Sequence, residues 1–298
     1  MNKPDTVDPL ESPPGGRALR IDEYISKGYH LASAPHILPR LMPLLNRVDT
    51  DNNQVVELIS YDTPLTANVM RVCNSAFYSR GTPINSLAQA VTHLGSREIY
   101  RIVVAVACAS TLSANRRAYG VQSTDLWLHS VVTAIAAQLV AHEAGEDADI
   151  IFTAAILHDV GKIILSAAAE DCCERISQET AAGASLLEAE ERILGCTHAE
   201  VSGRLLEQWK FSEPLISAVR FHHRPSAAGK HQRAAACVYL GNSIAHFTGY
   251  GSGHNSLSTA GRDEALQCLN LSATQMPRLM SECLDRFQQV KGLYNLGA

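Results

Sequence analysis

Ala154-Ala155-Ile156-Leu157-His158-Asp159-Val160-Gly161-Lys162 is the stretch on which the reading of this chain turns. An apolar run ends in adjacent His and Asp, and neutral imidazole and carboxylate are ligands that hold Zn, Fe or Mn while leaving positions open for water. Neighbouring residues on a straight helix point about 100° apart. His158 and Asp159 therefore suit one ion only at a kink, or two ions. Gly161 permits close approach by a metal or another helix. Lys162 lies one turn after His158, placed for a phosphate oxygen. The competing reading is a buried pair without metal, in which the carboxylate orients the imidazole and caps backbone groups.

Around this stretch the apolar period is helical almost everywhere, as in Val55, Val56, Ile59 and Leu65, Val69, Met70, Val72. Strand alternation is hard to find, and helix starts recur at Asp51-Asn52, Thr63-Pro64, Ser86, Ser96, Thr197 and Ser212. The expected helices are 51–61, 63–77, 86–94, 96–112, 125–144, 150–168, 185–194, 198–209, 214–223, 233–247 and 276–291. The fold class is all-α: an N-terminal helical bundle packed on a C-terminal one. Residues 1–20, rich in Pro and Gly, read as a disordered lead. Residues 21–115 form the first bundle and 121–298 the second, divided at the polar stretch Ser113 to Thr124. The helix from Ser96 carries Ile99, Ile102, Val103, Val104 and Val106 and is apolar on most faces, so it should lie between the two blocks.

The 298 residues are 46 % hydrophobic and 18 % charged, which excludes disordered and collagenous classes. The net charge of −5 offers no global attraction for nucleic acid or anionic lipid. Eight cysteines without a C-x-x-C read as small buried hydrophobes in a reducing compartment. The acidic, Pro-rich start is unlike a signal peptide, and the longest apolar runs fall short of the ~20 residues of a membrane helix or are interrupted. The expectation is a cytoplasmic protein with no membrane segment.

The suggestive histidines sit in the second block: His129, His158, His198 and the pair His222-His223. With the His158-Asp159 stretch they resemble the signature of the HD superfamily, all-helical metal-dependent phosphohydrolases. Upstream, Leu38-Pro39, Ile59 to Leu65, Val72-Cys73-Asn74-Ser75-Ala76-Phe77-Tyr78 and Ile84 to Gly95 resemble the N-terminal half of the HDOD domain, a bacterial signalling module related to HD. The resemblance covers roughly Leu31 to Ile244. It implies a metal set of His129, His158, Asp159, His198, His222 and His223, the downstream pair being that of HD-GYP phosphodiesterases, and a divalent cofactor drawn from Fe, Mn, Zn or Mg.

The chain departs from the catalytic branch twice. Asn242 stands where that branch carries a closing Asp, and an amide oxygen is a poorer ligand. After His223 the chain runs Arg224-Pro225-Ser226, without the Gly-Tyr-Pro element of the cyclic di-GMP hydrolases. The leading expectation is therefore a signal-transduction output or scaffold module. Its implied partners, in trans, are response regulators, histidine kinases, diguanylate cyclases or phosphodiesterases. The runner-up is a metal-dependent phosphohydrolase with Asp159 and Lys162 as its catalytic residues, Lys162 stabilising charge on the phosphoryl group. A third reading keeps the pocket to sense a nucleotide and discards the chemistry.

Overall fold

A computed structural model describes residues 14–28, 37–45, 52–79, 81, 83–112, 123–251 and 261–291. All regular structure among them is helical. The first half holds α1 (Pro14–Gly28), α2 (Leu38–Leu45), α3 (Asn52–Ser60), α4 (Thr63–Cys73), α5 (Ala76–Ser79), α6 (Leu87–Leu94) and α7 (Ser96–Leu112). The second holds α8 (Ser123–Ala144), α9 (Ala148–Leu157), α10 (Val160–Ala168), α11 (Glu170–Ala181), α12 (Leu186–Leu194), α13 (His198–Gln208), α14 (Glu213–Arg220), α15 (Gln232–Phe247), α16 (Arg262–Leu269) and α17 (Met276–Val290). The expected division between halves falls in residues 113–122, outside the described ones.

Local chemistry sets the boundaries. Asp62, rather than Thr63, caps α4 by accepting from Leu65 N at 2.9 Å, with Pro64 in the first turn. Ser86 caps α6, and the Asn74 side chain brackets Ile84 by bonding both its N–H and its C=O. Ser185 and Thr197 open α12 and α13 with reciprocal capping boxes to Glu188 and Glu200.

The second half is built on α8, whose flanks are nearly all buried between α9, α15 and α17. Gly241 makes the α8–α15 approach possible, since a Cβ there would lie 2.6 Å from that of Ala137. The segment 148–168 is apolar and long enough to cross a membrane by composition, yet 83 % of its most apolar stretch is buried inside the protein, the burial of a core segment. It is also not one helix. The pattern reads as continuous over 150–168, but the chain turns at His158-Asp159, where Asp159 leaves helical geometry at φ −102° and ψ 8°. Two helices, α9 and α10, meet at the pair.

Four further helices differ from the sequence reading. The lead expected over 1–20 gives way to α1 at Pro14, which buries Ile21 and Ile25 one turn apart and packs on α10 and α13 of the second half. Gly28 lets it close on Ile164, whose backbone oxygen would be 3.0 Å from a Cβ. The helices α2, α11 and α16 were not expected. Arg97 and Arg101 reach across to Asp149 of α9, Arg101 Nη2 at 2.8 Å and Arg97 Nη1 at 3.5 Å.

The α7 helix packs against α8 and α9 as its apolar surface implies. Ile99, Ile102, Val103 and Val104 are fully buried, and Tyr100 Oη meets Thr153 Oγ1 at 2.9 Å inside the contact. Val103→Asp would bury an unpaired charge at this junction and should cost on the order of 3–5 kcal/mol. Urea unfolding checks it. The wild type should unfold in one transition, and two well-separated transitions would show that α7 does not couple the halves.

Candidate metal centre

Six helices deliver side chains to one buried point. His129 comes from α8, His158 and Asp159 from the turn between α9 and α10, Lys162 from α10, His198 from the first turn of α13, and His222 with His223 from the turn after α14. His246 comes from the last turn of α15. All six residues expected to bind metal, and Lys162, are thus brought together. The break at Asp159 is the local cause, because it turns the carboxylate toward the same cavity as His158. Gly161 is the second cause. Its N–H donates to Ser202 Oγ at 2.8 Å, and a Cβ would run into the His198 carbonyl, so only glycine allows α10 to seat against the start of α13.

The nitrogens of the rings are fixed in role by their outer contacts. His158 Nδ1 lies 2.6 Å from Ala155 O, His222 Nδ1 lies 2.6 Å from Val219 O, and His129 Nδ1 lies 2.7 Å from Tyr250 O. A carbonyl only accepts, so each Nδ1 carries the proton and each neutral ring presents its Nε2 lone pair inward. His198 Nδ1 is held in the same way at 2.8 Å by the buried carboxylate of Glu190. This is the outer-shell pattern that orients metal-binding imidazoles.

What those lone pairs face is more acceptor. His129 Nε2 and His158 Nε2 lie 3.3 Å apart, with Asp159 Oδ2 at 3.6 and 3.3 Å from them. His198 Nε2 lies 3.0 Å from His223 Nε2 and 3.3 Å from Asp159 Oδ1. Two three-residue groups result, His129, His158, Asp159 and His198, His222, His223, each with its ligand atoms within 4.8 Å of one another. Asp159 sits between them, one oxygen toward each. Among the described residues, its Oδ1 and the Nε2 of His222 are buried without a hydrogen-bond partner.

Lys162 Nζ donates to Asp159 Oδ2 at 2.7 Å. The ammonium expected to meet a phosphate oxygen is thereby already engaged with the carboxylate. Burial would raise the Asp159 pKa, but His158 and Lys162 hold it well below the usual range. Burial drives His129, His222 and His223 well below 6.5, aided by neighbouring imidazoles. His198 moves the other way, since Glu190 and Asp159 outweigh its burial.

Asn242 is buried on α15 one turn before His246, with its Oδ1 unpaired among the described residues. The His246 ring lies 4.9 Å from that of His129, centre to centre, and burial with nearby Lys162 pushes its pKa down to about 4. Sequence reasoning missed His246 and Glu190. The first could have been found from its i+4 spacing to Asn242. The second, inside Glu188-Ala189-Glu190-Glu191, carried no distinguishing signal.

These directions fix a pH dependence for protein stripped of metal by chelation. The native state keeps four imidazoles of the site neutral, His129, His222, His223 and His246, that the unfolded chain protonates below about 6.5, so the unfolded state binds more protons there and stability falls with falling pH. His198 offsets one of the four. The urea midpoint should be lower at pH 5.5 than at 7.5, with a smaller drop in His222→Asn. A midpoint that rises on acidification would contradict the assignment.

Comparison with known proteins gives the family and the fold. The profile of the HDOD domain matches residues 31–225. An HDOD domain protein of unknown function from Geobacter sulfurreducens superposes with a TM-score of 0.78 at 23 % identity, over 95 % of this chain and 98 % of that one. A protein from Shewanella amazonensis SB2B, named provisionally as a phosphohydrolase, gives 0.69 at 22 %, over 91 % and 97 %. At such identities the likeness is one of fold. An uncharacterized protein of Treponema pallidum (strain Nichols) is 24 % identical over 222 residues, 72 % of this chain and 42 % of that protein, so the chain spans less than half of that relative. With the profile covering well over half of its length, the chain belongs to the HDOD domain family.

Proposed function

We propose that this HDOD chain is a metal-dependent phosphohydrolase of a signalling pathway, its centre holding divalent transition-metal ions. One observation carries the reading: four imidazoles with Nδ1 protons locked outward aim their lone pairs, with a carboxylate, into a single buried cavity. Acceptors so arranged repel one another unless a cation lies among them, and Lys162 is one cation for that whole set. The orphaned Asp159 Oδ1 and His222 Nε2 fit the same ion or pair of ions. His129, His158 and Asp159 would hold one ion and His198, His222 and His223 a second, with Asp159 shared.

A bound divalent ion supplies an acidified water and polarises a phosphoryl oxygen. The chain's own residues do the rest. Glu190 keeps His198 in one tautomer and orientation, and the Ala155, Val219 and Tyr250 carbonyls do so for His158, His222 and His129. Lys162 offsets the negative charge of Asp159 and lies where it can share that role with an incoming phosphoryl group. The surrounding apolar helices exclude bulk water.

Asn242 favours a second reading. A neutral amide closes the set in place of a carboxylate, which suits an output module that binds metal without turnover and acts through signalling proteins in trans. Metal analysis of protein grown with Fe, Mn and Zn, followed by hydrolysis of bis(p-nitrophenyl) phosphate, tests both. The wild type should hold metal and turn over the diester, and His158→Asn with Asp159→Asn should lose both while keeping its helical circular dichroism. Asn242→Asp should tighten metal binding. Metal without turnover leaves the second reading standing, and a wild type that takes up no metal overturns the proposal.

A further inference from the structure

A cavity of about 250 Å³ lies where the two halves meet. Phe77 and Tyr78 of α5 and Ala105 of α7 wall it from the first half, and Val131 of α8 with Phe152 and Ile156 of α9 from the second. Val131 and Ile156 stand two residues from His129 and His158, and two residues turn a helix by about 200°. The cavity therefore backs onto the helices of the metal centre from their far side. No candidate metal ligand is among its described walls.

The charged groups at the cavity, Glu98, Arg101 and Arg286, are already paired. Arg101 commits every nitrogen of its guanidinium, Nη1 to Glu98 at 3.0 Å and Nε and Nη2 to Asp149 at 3.0 and 2.8 Å. Tyr78 Oη donates to the same Glu98 at 2.8 Å, and Arg97 adds to Asp149. The exposed Arg286 is paired with Glu282 at 2.8 Å. Arg97, Arg101 and Arg286 thus meet Glu98, Asp149 and Glu282, and an incoming ion of either sign would have to displace one of them. A guanidinium donates within its own plane, so Arg101, its edge occupied, has a flat face left to offer. Such faces stack on aromatic rings. Phe77 supplies an exposed ring at the same place, edge-on to Tyr78 with centres 4.8 Å apart.

We infer that this cavity binds an uncharged planar aromatic molecule of one or two fused rings, held across the junction of the two halves. An apolar cavity of about 150 Å³ accepts benzene, so the larger volume here admits a second ring. Three aromatic walls, Phe77, Tyr78 and Phe152, give that ring edge and face contacts. Since the walls come from both halves, the occupant binds the assembled protein and stabilises it against unfolding. The inference stands apart from the metal reading and needs no ion at the centre.

Titration calorimetry of the full chain with indole, indole-3-carboxylate and cyclohexanol tests it, before and after removal of metal by chelation. One indole should bind per chain, at least tenfold tighter than the carboxylate or the alcohol, and equally well in both preparations. Ala105→Leu fills the cavity from its α7 wall and should abolish binding while keeping or raising the melting temperature. Phe77→Ala removes an exposed ring and should weaken indole at least threefold at an unchanged melting temperature. Should Ala105→Leu fail to fold, Phe77→Ala decides alone. No saturable binding of indole, equal affinity for the carboxylate or for cyclohexanol, or an affinity untouched by Phe77→Ala overturns the inference. Binding lost on chelation overturns it as well, since the ring would then sit at the metal centre.

Discussion

The carboxylate of Asp159 is the point on which the second half depends. It is almost wholly buried, ringed by imidazole nitrogens, and compensated within the protein by the ammonium of Lys162. Burying a charge at that depth is unfavourable unless paired, and a pair surrounded by further acceptors is only partly compensated. The fold bears this through three backbone devices: the turn between α9 and α10, the glycine that seats α10 on α13, and the glycine that lets α15 reach α8. Each sacrifices helix continuity or side-chain packing to bring polar atoms together. A chain shaped only by core packing would have continued one straight helix through the pair.

The two halves meet through apolar packing reinforced by a chain of polar contacts. Tyr78 Oη donates to Glu98, Glu98 accepts from Arg101, and Arg101 binds Asp149, whose backbone oxygen in turn accepts from Thr153. Thr153 meets Tyr100. The chain runs from α5 to the first turns of α9, two turns before His158. Among the described residues, the first half thus buttresses the helix that delivers the His-Asp pair and adds no side chain to the centre.

Much of this was legible in the residues. The helical class follows from apolar spacing, and the candidate ligand set was what the resemblance of the His-Asp pair and the later histidines to the HD signature implied. What escaped did so for identifiable reasons. The α11 helix begins Glu170-Asp171 and buries only Ile176 and Thr180, too thin a stripe to stand out. Pro39 and Pro43 mask α2, and Gly15 with Gly16 mask α1. The break at Asp159 leaves no mark in the apolar period, because both helices are buried on most faces and the pattern runs through unchanged. Glu190 is set apart from its neighbours only by complete burial, which comes from tertiary packing.

The first helix of the chain is docked on the last half of the molecule. Asp22 grips Arg204 with both carboxylate oxygens across 182 residues, and Arg20 and Tyr24 reach the carbonyl of Leu194, just before the segment that presents His198. At a synthesis rate of about 5–20 residues per second, α1 waits roughly 9–36 s on the ribosome before its seat exists. During that interval its apolar face, Ile21 and Ile25, has no native partner, while the intervening first half has its own sequence in hand and can fold. The protein is thus assembled out of order, with α1 held until α13 has been made, and the support behind His198 forms only then.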